Sequence, residues 1–183
     1  SDAGGVSTAA QGRFLMVAPA GVINLQAAAF NYADTTAPGI TLSAGQTREV
    51  ELDMVPLTIL STTQLTYIAG STLGFSVQYF NPTGAGNVDT YFMMLGPDGL
   101  TMAAWDEQFA VHVHTVGDGS TLEVLLRNSP FTTASVQADD FYTFTGIEPT
   151  GEYAVYLILT QPGVPVEDMS GWVAWAESRF VYQ

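Results

Sequence analysis

The sequence contains neither cysteine nor lysine. Without cysteine the chain can form no disulfide, no thiol nucleophile and no cysteine-based zinc site. Without lysine it can form no lysine Schiff base and no lysine–asparagine isopeptide crosslink. The four basic residues are all arginine, they face 18 carboxylates, and the net charge is −14. Because binding to phosphate groups needs clustered cations, the sequence argues against nucleic acids and anionic lipid surfaces as partners.

Long apolar runs and catalytic motifs are also missing. No run approaches the 18 apolar residues of a membrane-spanning helix, so we predict no membrane span. The sequence contains no G-x-S-x-G elbow, no phosphate-binding P-loop and no H-E-x-x-H motif. The two histidines are only two residues apart, which gives little support to a catalytic triad. We therefore predict that the protein is not an enzyme.

The patterns that are present predict strands. The segments 48–54 (REVELDM), 74–80 (GFSVQYF) and 109–116 (FAVHVHTV) alternate between apolar and polar residues, as half-buried strands do. The segments 89–95 (DTYFMML) and 152–160 (EYAVYLILT) are almost continuously apolar, so we expect central strands that are buried on both faces. Turn residues separate these segments at the spacing typical of a β-sandwich. The predicted fold class is all-β, with two β-sandwich modules.

A change in composition marks the predicted domain boundary. All three tryptophans and most tyrosines and phenylalanines follow residue 57, whereas the preceding strands are rich in alanine. Pro56 would end the last of those strands, because proline interrupts a ladder. We predict one module over residues 1–56 and a second over residues 57–183.

The first module resembles the second half of a carboxypeptidase-regulatory-like domain, which is a transthyretin-like β-sandwich. The resemblance covers residues 12–55, and its matching residues are Gly12, Arg13, Phe14, Pro19, Gly21, Asn31, Tyr32, Gly45, Gln46 and Thr47. It implies that the first half of the module would precede Ser1. The residues alone lead to the same expectation, since three or four strands with one apolar face each cannot close a sandwich.

The opening strand of this module therefore needs a partner from elsewhere. The larger module could cover its apolar face, the chain could be part of a longer surface protein, or a neighbouring subunit could supply the missing strand by β-augmentation. Exposed edges of this kind promote association unless they are blocked, and lysine, the commonest blocking residue, is absent.

Residues 64–183 are similar to an immunoglobulin-like sandwich found in secreted bacterial proteins. The matching residues are Tyr91, Pro97, Asp98, Gly99, Gly151, Tyr153, Tyr156, Leu159, Pro162, Gly163, Asp168 and Trp172. This resemblance implies a fold and a secreted or cell-surface location, and it carries no catalytic residues. Trp172 and Trp175 are three residues apart, so on a regular strand they would point to opposite faces.

A histidine pair is the first candidate for a metal site. His112 and His114 share one face of a predicted strand at a spacing that permits chelation of zinc or copper. Asp106 or Glu107 could supply the third ligand. The alternative, which two histidines alone favour, is that both side chains face solvent without a metal.

Acidic segments and tryptophans supply the other candidate ligand sites. Calcium is the candidate cofactor at the acidic segments, with loop carboxylates at Asp118, Asp139 and Asp140 and at Glu167 and Asp168 as ligands. The alternative is that these carboxylates are solvated and only aid solubility. Carbohydrate could stack on Trp105, Trp172 or Trp175, although core or interface roles are the favoured interpretation of these three residues.

The predicted function is that of a structural subunit of an extracellular filament or surface assembly. Strand complementation would join the subunits into a homopolymer. The alternative is a carbohydrate- or calcium-binding β-sandwich module of a larger secreted protein or adhesin. The predicted interface residues are Arg13, Phe14, Met16, Val50, Leu52, Met54 and Trp175.

Overall fold

The computed structural model describes residues 16–84, 86–118 and 121–183. The prediction of an all-β fold is confirmed: these residues form strands and one 3₁₀ turn at Met169–Gly171. In chain order the strands are β1 (Gly21–Ala27), β2 (Thr35–Leu42), β3 (Thr58–Thr62), β4 (Thr66–Tyr67), β5 (Thr72–Tyr79), β6 (Asn87–Leu95), β7 (Thr101–Trp105), β8 (Val111–Thr115), β9 (Leu126–Pro130), β10 (Ala134–Thr143), β11 (Gly151–Thr160) and β12 (Trp172–Tyr182).

The chain forms two compact units. The first unit comprises residues 1–28 and 34–54, and the second comprises residues 29–33 and 55–183. Residues 29–33, between β1 and β2, thus belong to the second unit, and the chain passes between the units three times. The last passage, after Met54, lies two residues before the boundary that the composition suggests.

The second unit is a two-layer sandwich. Its small sheet has the order β10-β5-β3, and its large sheet has the order β4-β12-β11-β6-β7-β8, with β9 also paired to β6. All pairs in both sheets are antiparallel except β4, which runs parallel to the end of β12. One long edge of β6 is therefore filled by β11, and β9 and β7 share the other edge.

The core of the sandwich lies between its two sheets. We call it the inner cluster; its most buried side chains, each at most 2% exposed, are Tyr67, Leu73, Val77, Phe92, Trp105, Phe144, Val155, Leu157, Phe180 and Tyr182. Aromatic rings pack edge-to-face and in offset stacks throughout it; the ring centroids of Phe75 and Phe92, for example, are 4.5 Å apart. These contacts explain why the aromatic residues concentrate after residue 57.

Strands β6 and β11 are buried on both faces, as the sequence predicted. Alternate side chains of both strands enter the inner cluster, and the others enter a second cluster on the far side of the large sheet. This outer cluster contains Tyr91, Met93, Ala104, Val124, Ile158 and Val166. Val124 and Val166 come from connecting segments, so loops rather than a third sheet shield the outer face.

The expectation that Trp172 and Trp175 face opposite sides of a strand is wrong. Both side chains pack, half-buried, against the outer cluster. The cause is a β-bulge: Leu159 pairs with Ala174, but the next residue, Thr160, pairs with Trp172. The extra residue reverses the alternation between the two tryptophans and brings them to the same face.

Asp139 and Asp140 are not loop residues, which corrects a second expectation. Both lie on β10, where the register against β5 shifts between Ala138 and Tyr142. β10 is an edge strand that is largely exposed, and this exposure gives it a polar sequence with no apolar alternation. The sequence pattern therefore resembles that of a loop.

The first unit is much less complete in its described part. β1 and β2 form a two-stranded antiparallel sheet. Ile40 is the one buried apolar residue among the described residues of this unit, whereas Val17 and Val22 are 89% and 71% exposed. A two-stranded sheet with so little core is marginal on its own.

The predicted strand over residues 48–54 is not present. The burial alternates as predicted, with Val50, Leu52 and Met54 half-buried and the acidic residues between them exposed. However, no ladder joins this segment to another strand among the described residues. The sequence has the pattern of a strand, but a strand also requires a partner backbone.

The corner between β10 and β11 is tied by two side chains. The Tyr153 hydroxyl donates to the carbonyl oxygen of Pro149 at 2.6 Å. The Glu148 carboxylate accepts from the Tyr142 hydroxyl at 2.8 Å and from the backbone N–H groups of Thr145 and Gly146 at 3.0 and 2.9 Å. Partial burial alone would raise the pKa of Glu148, but the hydrogen bonds outweigh it and lower that pKa to about 2.

We expect this corner to make the stability of the second unit depend on pH in strong acid. The folded-state pKa of Glu148 lies below its ordinary value of 4.5, so its stabilisation is complete above 4.5 and is lost as the pH falls to about 2. Replacement of Glu148 by glutamine should lower the urea midpoint at neutral pH and reduce the loss between those two pH values. Exposed Glu49 gives the matched control, Glu49→Gln; an identical pH dependence in E148Q and E49Q would contradict the assignment.

Candidate functional site

Strand β8 carries the candidate site, and a tight connection from β7 positions it. The Asp106 carboxylate accepts the backbone N–H groups of Gln108 and Ala110, both at 2.9 Å, which closes the turn. Phe109 occupies the left-handed region at φ 60° within this turn. β8 then pairs with β7 without a register shift and is the last strand at this end of the large sheet.

The histidines of β8 do not lie on the more solvent-exposed face of the strand, as the interpretation without a metal had assumed. His112 pairs with Ala104 and His114 with Met102, so both histidines share the face of the outer cluster. The side chain of His114 is only 11% exposed and that of His112 is 42% exposed. Val113, on the opposite face, is 71% exposed. The alternation was predicted correctly, but its apolar side is the more exposed one.

Two carboxylates hold the histidines in a network that we call the histidine cluster. It consists of Asp106, His112, His114 and Glu123. Nε2 of His112 lies 2.8 Å from Oδ2 of Asp106, and Nδ1 of His112 lies 3.6 Å from Oε1 of Glu123. Nε2 of His114 lies 2.7 Å from Oε2 of Glu123. A carboxylate thus faces each ring nitrogen of His112, which suits the protonated imidazolium with its two donors.

The network shifts the pKa values of His112 and Asp106 in opposite directions. The hydrogen bond from His112 to Asp106 is the largest cause that raises the pKa of His112, and the charge of Glu123 raises it further against an opposing effect of burial. The same hydrogen bond is the largest cause that lowers the pKa of Asp106. The cluster therefore favours the ion-paired form of His112.

The described residues do not assemble a metal site. No group of three or more histidine, aspartate or glutamate side chains in residues 16–84, 86–118 and 121–183 is placed to hold a metal ion. Glu107, one predicted third ligand, pairs instead with Arg127 at 3.4 Å.

The predicted calcium ligands are also dispersed over separate local contacts. Asp118 accepts the Thr115 N–H at 3.2 Å, Asp139 accepts from Gln137 at 2.6 Å, and Asp140 accepts from Thr72 at 3.0 Å. Glu167 accepts the Leu122 N–H at 3.2 Å, and Asp168 caps Ser170. These carboxylates stabilise turns and strand ends and do not converge on one point.

The valine face of β8 borders an apolar cleft. Val111 and Val113 pair with Trp105 and Ala103, which places them on the face of the inner cluster. The small sheet has three strands and the large sheet is wider, so β8 extends beyond the layer that covers its neighbours. A cavity of about 140 Å³ opens there, lined mainly by Met94, Ala103, Val111, Val113, Tyr142 and Tyr153.

The predicted interface residues have different environments. Arg13 and Phe14 lie outside the described residues. Met16, Val50, Leu52 and Met54 belong to the first unit and are half-buried. Trp175 belongs to the second unit, where the side-chain amide of Asn31 donates to its carbonyl oxygen at 2.7 Å and accepts its N–H at 2.8 Å. Asn31 thus imitates a neighbouring strand at the outer edge of β12.

Sequence reasoning did not identify Glu123, and it named Asn31 only as part of the transthyretin-like resemblance, without its contact to Trp175. Glu123 lies nine residues after His114 in a connecting segment, and no motif links the two. Asn31 has a φ of 70°, which asparagine tolerates better than most residues, and an Asn-Tyr pair between two strands is a weak signal for it. Both contacts depend on tertiary structure and not on local spacing.

Comparisons with known proteins do not assign a family or a function to this chain. No family model and no curated protein matches this chain. Among solved structures, it is similar to the Pseudomonas fluorescens alkylpurine DNA glycosylase AlkC bound to DNA containing an abasic site analog, with 12% identity and a TM-score of 0.30. The match covers 69% of this chain and 30% of that chain, and at this TM-score it supports no conclusion about fold or activity. No helix in the described residues is long and apolar enough to cross a membrane.

We predict that the pKa of His112 lies above its ordinary value of 6.5 and that Asp106 is the main reason. Asp106→Asn should lower this pKa more than Glu123→Gln does, and Glu107→Gln, which alters a carboxylate paired with Arg127, should leave it unchanged. NMR titration of the imidazole Cε1–H signals measures all three effects.

The raised pKa of His112 determines how its ion pairs affect stability as the pH changes. The ion pairs of His112 stabilise the fold below pH 6.5, and their contribution is lost as the pH rises through the higher folded-state pKa. A His112 pKa at or below 6.5 in the unmodified protein would contradict the histidine cluster.

Proposed function

We propose that this chain is a non-enzymatic structural subunit of an extracellular assembly, in which a strand from a second copy completes the first unit. One observation carries the proposal: the described part of the first unit has one buried apolar residue, Ile40, and one two-stranded sheet. A second unit with a full core accompanies it in the same chain. Such a chain gains stability when another backbone and its apolar side chains cover the incomplete unit.

Residues 48–54 are the part of the first unit best suited to such complementation. Val50, Leu52 and Met54 are half-buried on one side, and Glu49, Glu51 and Asp53 are exposed on the other. The backbone of this segment lacks a ladder partner among the described residues. A strand added here would satisfy the N–H and C=O groups and cover the apolar side. A head-to-tail contact of this type extends into a filament unless the rotation closes a ring.

The second unit would then serve as a stable spacer, and we propose that it is immunoglobulin-like. Three features support this class: a β4-β12-β11-β6-β7-β8 sheet, a β10-β5-β3 sheet opposite it, and a tyrosine near the start of β11 that bonds back to Pro149. The variable-type immunoglobulin sandwich has this arrangement in the same chain order, but with a fourth strand in its smaller sheet. A secreted or cell-surface location is part of this proposal.

The proposal predicts self-association that depends on one side of residues 48–54. The chain at about 100 µM, far above a micromolar dissociation constant, should form filaments or large oligomers in negative-stain microscopy and sedimentation velocity. Leu52→Gln should abolish them by removing an apolar contact, whereas Glu51→Gln, the same new side chain one residue away, should not. Monomeric wild-type protein at that concentration, or equal assembly of both variants, would contradict strand complementation.

Carbohydrate binding is a second candidate, favoured by the bulge in β12. The bulge places Trp172 and Trp175 on one face with Tyr156, all half-buried against the outer cluster. Aromatic faces grouped in this way can stack on sugar rings. The ion pair of Arg179 with Glu177, at 2.5 Å on the same strand, offers polar groups beside them.

This candidate predicts a change in tryptophan fluorescence when soluble oligosaccharides are added. Trp175→Ala should remove the response, and Trp105→Phe, which alters a tryptophan that is 1% exposed in the inner cluster, should retain it. No response across a panel of neutral and acidic oligosaccharides would reject the candidate.

A further inference from the structure

The free edge of β8 exposes a defined set of backbone groups. The Val116 N–H donates to Leu100 at 2.8 Å and the Asp106 N–H donates to Ala110 at 3.1 Å, which identifies the hydrogen-bonded pairs of the β7–β8 ladder. By the alternation of an antiparallel ladder, the N–H and C=O groups of Val111, Val113 and Thr115 point away from β7. Asp118 accepts the Thr115 N–H at 3.2 Å. Val111 and Val113 remain without a strand partner among the described residues.

Three protections common on edge strands, namely proline, lysine and a β-bulge, are absent from β8. Its sequence, VHVHT, contains no proline and no lysine, and its pairing with β7 shows no bulge. The side chains beside the free backbone groups are apolar and exposed: Val111 is 42% exposed, Val113 is 71% exposed and Phe109 is 60% exposed. An edge with these properties is a template for pairing with another strand.

Charge also distinguishes this edge from the rest of an acidic chain. The charged and titratable groups around β8 are Asp106, Glu107, Asp118, Glu123, Arg127, His112 and His114. Arg127 compensates Glu107, and the ion-paired form of His112 compensates one of its two neighbouring carboxylates, Asp106 and Glu123. Two of the four carboxylates are therefore offset at this edge, in a chain where 18 carboxylates face four arginines, which reduces the repulsion between two copies at this surface.

We propose that the free edge of β8 is a self-association surface that pairs antiparallel with β8 of a second copy across a two-fold axis. With Val111 of each copy opposite Val113 of the other, four main-chain hydrogen bonds form and the Asp118 contact with Thr115 stays in place. The valines of both copies then lie on one face beside the two apolar clefts. This contact is separate from the complementation of the first unit, because every residue in it belongs to the second unit.

The first test compares two lysine substitutions at similarly exposed positions. Val113→Lys places a charge at the centre of the proposed contact, whereas Leu65→Lys places the same charge beside β4, at the other end of the large sheet. Leu65 is 77% exposed, close to the value for Val113, so both variants should fold. Sedimentation equilibrium should show at least a tenfold weaker self-association for V113K, about 1.4 kcal/mol, and no change for L65K. Equal association of the two variants would overturn the proposal.

Both variants should be made in a Leu52→Gln background, which separates this surface from the first unit. With complementation blocked, the proposal predicts that a dimer remains in L52Q and disappears in L52Q/V113K. An L52Q protein that is monomeric at about 1 mM, the upper range of weak association, would overturn the β8 contact even if filaments form in the wild type.

NMR supplies a second readout that a general surface effect would not reproduce. As the L52Q protein dimerises, the amides of Val111 and Val113 should gain protection from hydrogen exchange, because they point outward. The amides of His112 and His114 already bond to β7 and should not change. Equal changes at all four amides, or none at any, would contradict strand pairing at this edge.

The charge argument is tested by pH. Dimerisation should be tighter at about pH 6 than at about pH 8, since protonated His112 offsets part of the charge of Asp106 and Glu123. In the proposed register the two His112 side chains lie opposite each other across the axis, each beside its own Asp106 and Glu123, so protonation lowers the net negative charge on both sides of the contact. His112→Gln should reduce this difference, because it removes the titrating group nearest the axis. The same pH dependence in H112Q would contradict the role of the histidine cluster. The pairing of the two β8 strands is tested independently by the V113K and L65K variants.

Discussion

The structure depends on covering both faces of a wide β-sheet. β6 and β11 are apolar on both sides, and water must be excluded from each side for the large sheet to be stable. The small sheet covers one face through the inner cluster, and loop residues such as Val124 and Val166 cover the other. Because the small sheet is narrower, the cover ends before β8. The exposed valines and the apolar cleft are a direct consequence of that mismatch in width.

The same requirement explains the difference between the two units. The second unit supplies its own cover, whereas the described part of the first unit has one two-stranded sheet and an unpaired segment with alternating burial. Asn31 protects part of the edge of β12, because its side-chain amide forms hydrogen bonds with both the N–H and the C=O of Trp175. β8 and residues 48–54 have no such protection among the described residues. We propose that β8 and residues 48–54 are the surfaces that contact other copies of the chain.

Much of the sandwich was predictable, because its signals are local. The continuous apolar runs identified β6 and β11 as doubly buried strands, and period-two alternation identified β5 and β8. The failures have tertiary causes. The bulge opposite Leu159 and Thr160 reversed the side of one tryptophan, the polar edge strand β10 resembled a loop, and residues 48–54 had the pattern of a strand without a partner. The histidines were found, but Glu123 was not, since only folding brings it to His114. The immunoglobulin-like and transthyretin-like resemblances, the location and the assembly stay predictions.

Hydrogen exchange measured by mass spectrometry on dilute, monomeric protein tests most directly the claim that only the second unit is stable alone. The account predicts strong protection, requiring near-global unfolding for exchange, in peptides from β6 and β11. It predicts rapid exchange in peptides that cover β1, β2 and residues 48–54, with protection appearing there only when the protein assembles. Protection of β1 and β2 in the monomer as strong as that of β11 would show that the first unit is complete by itself and would contradict the account.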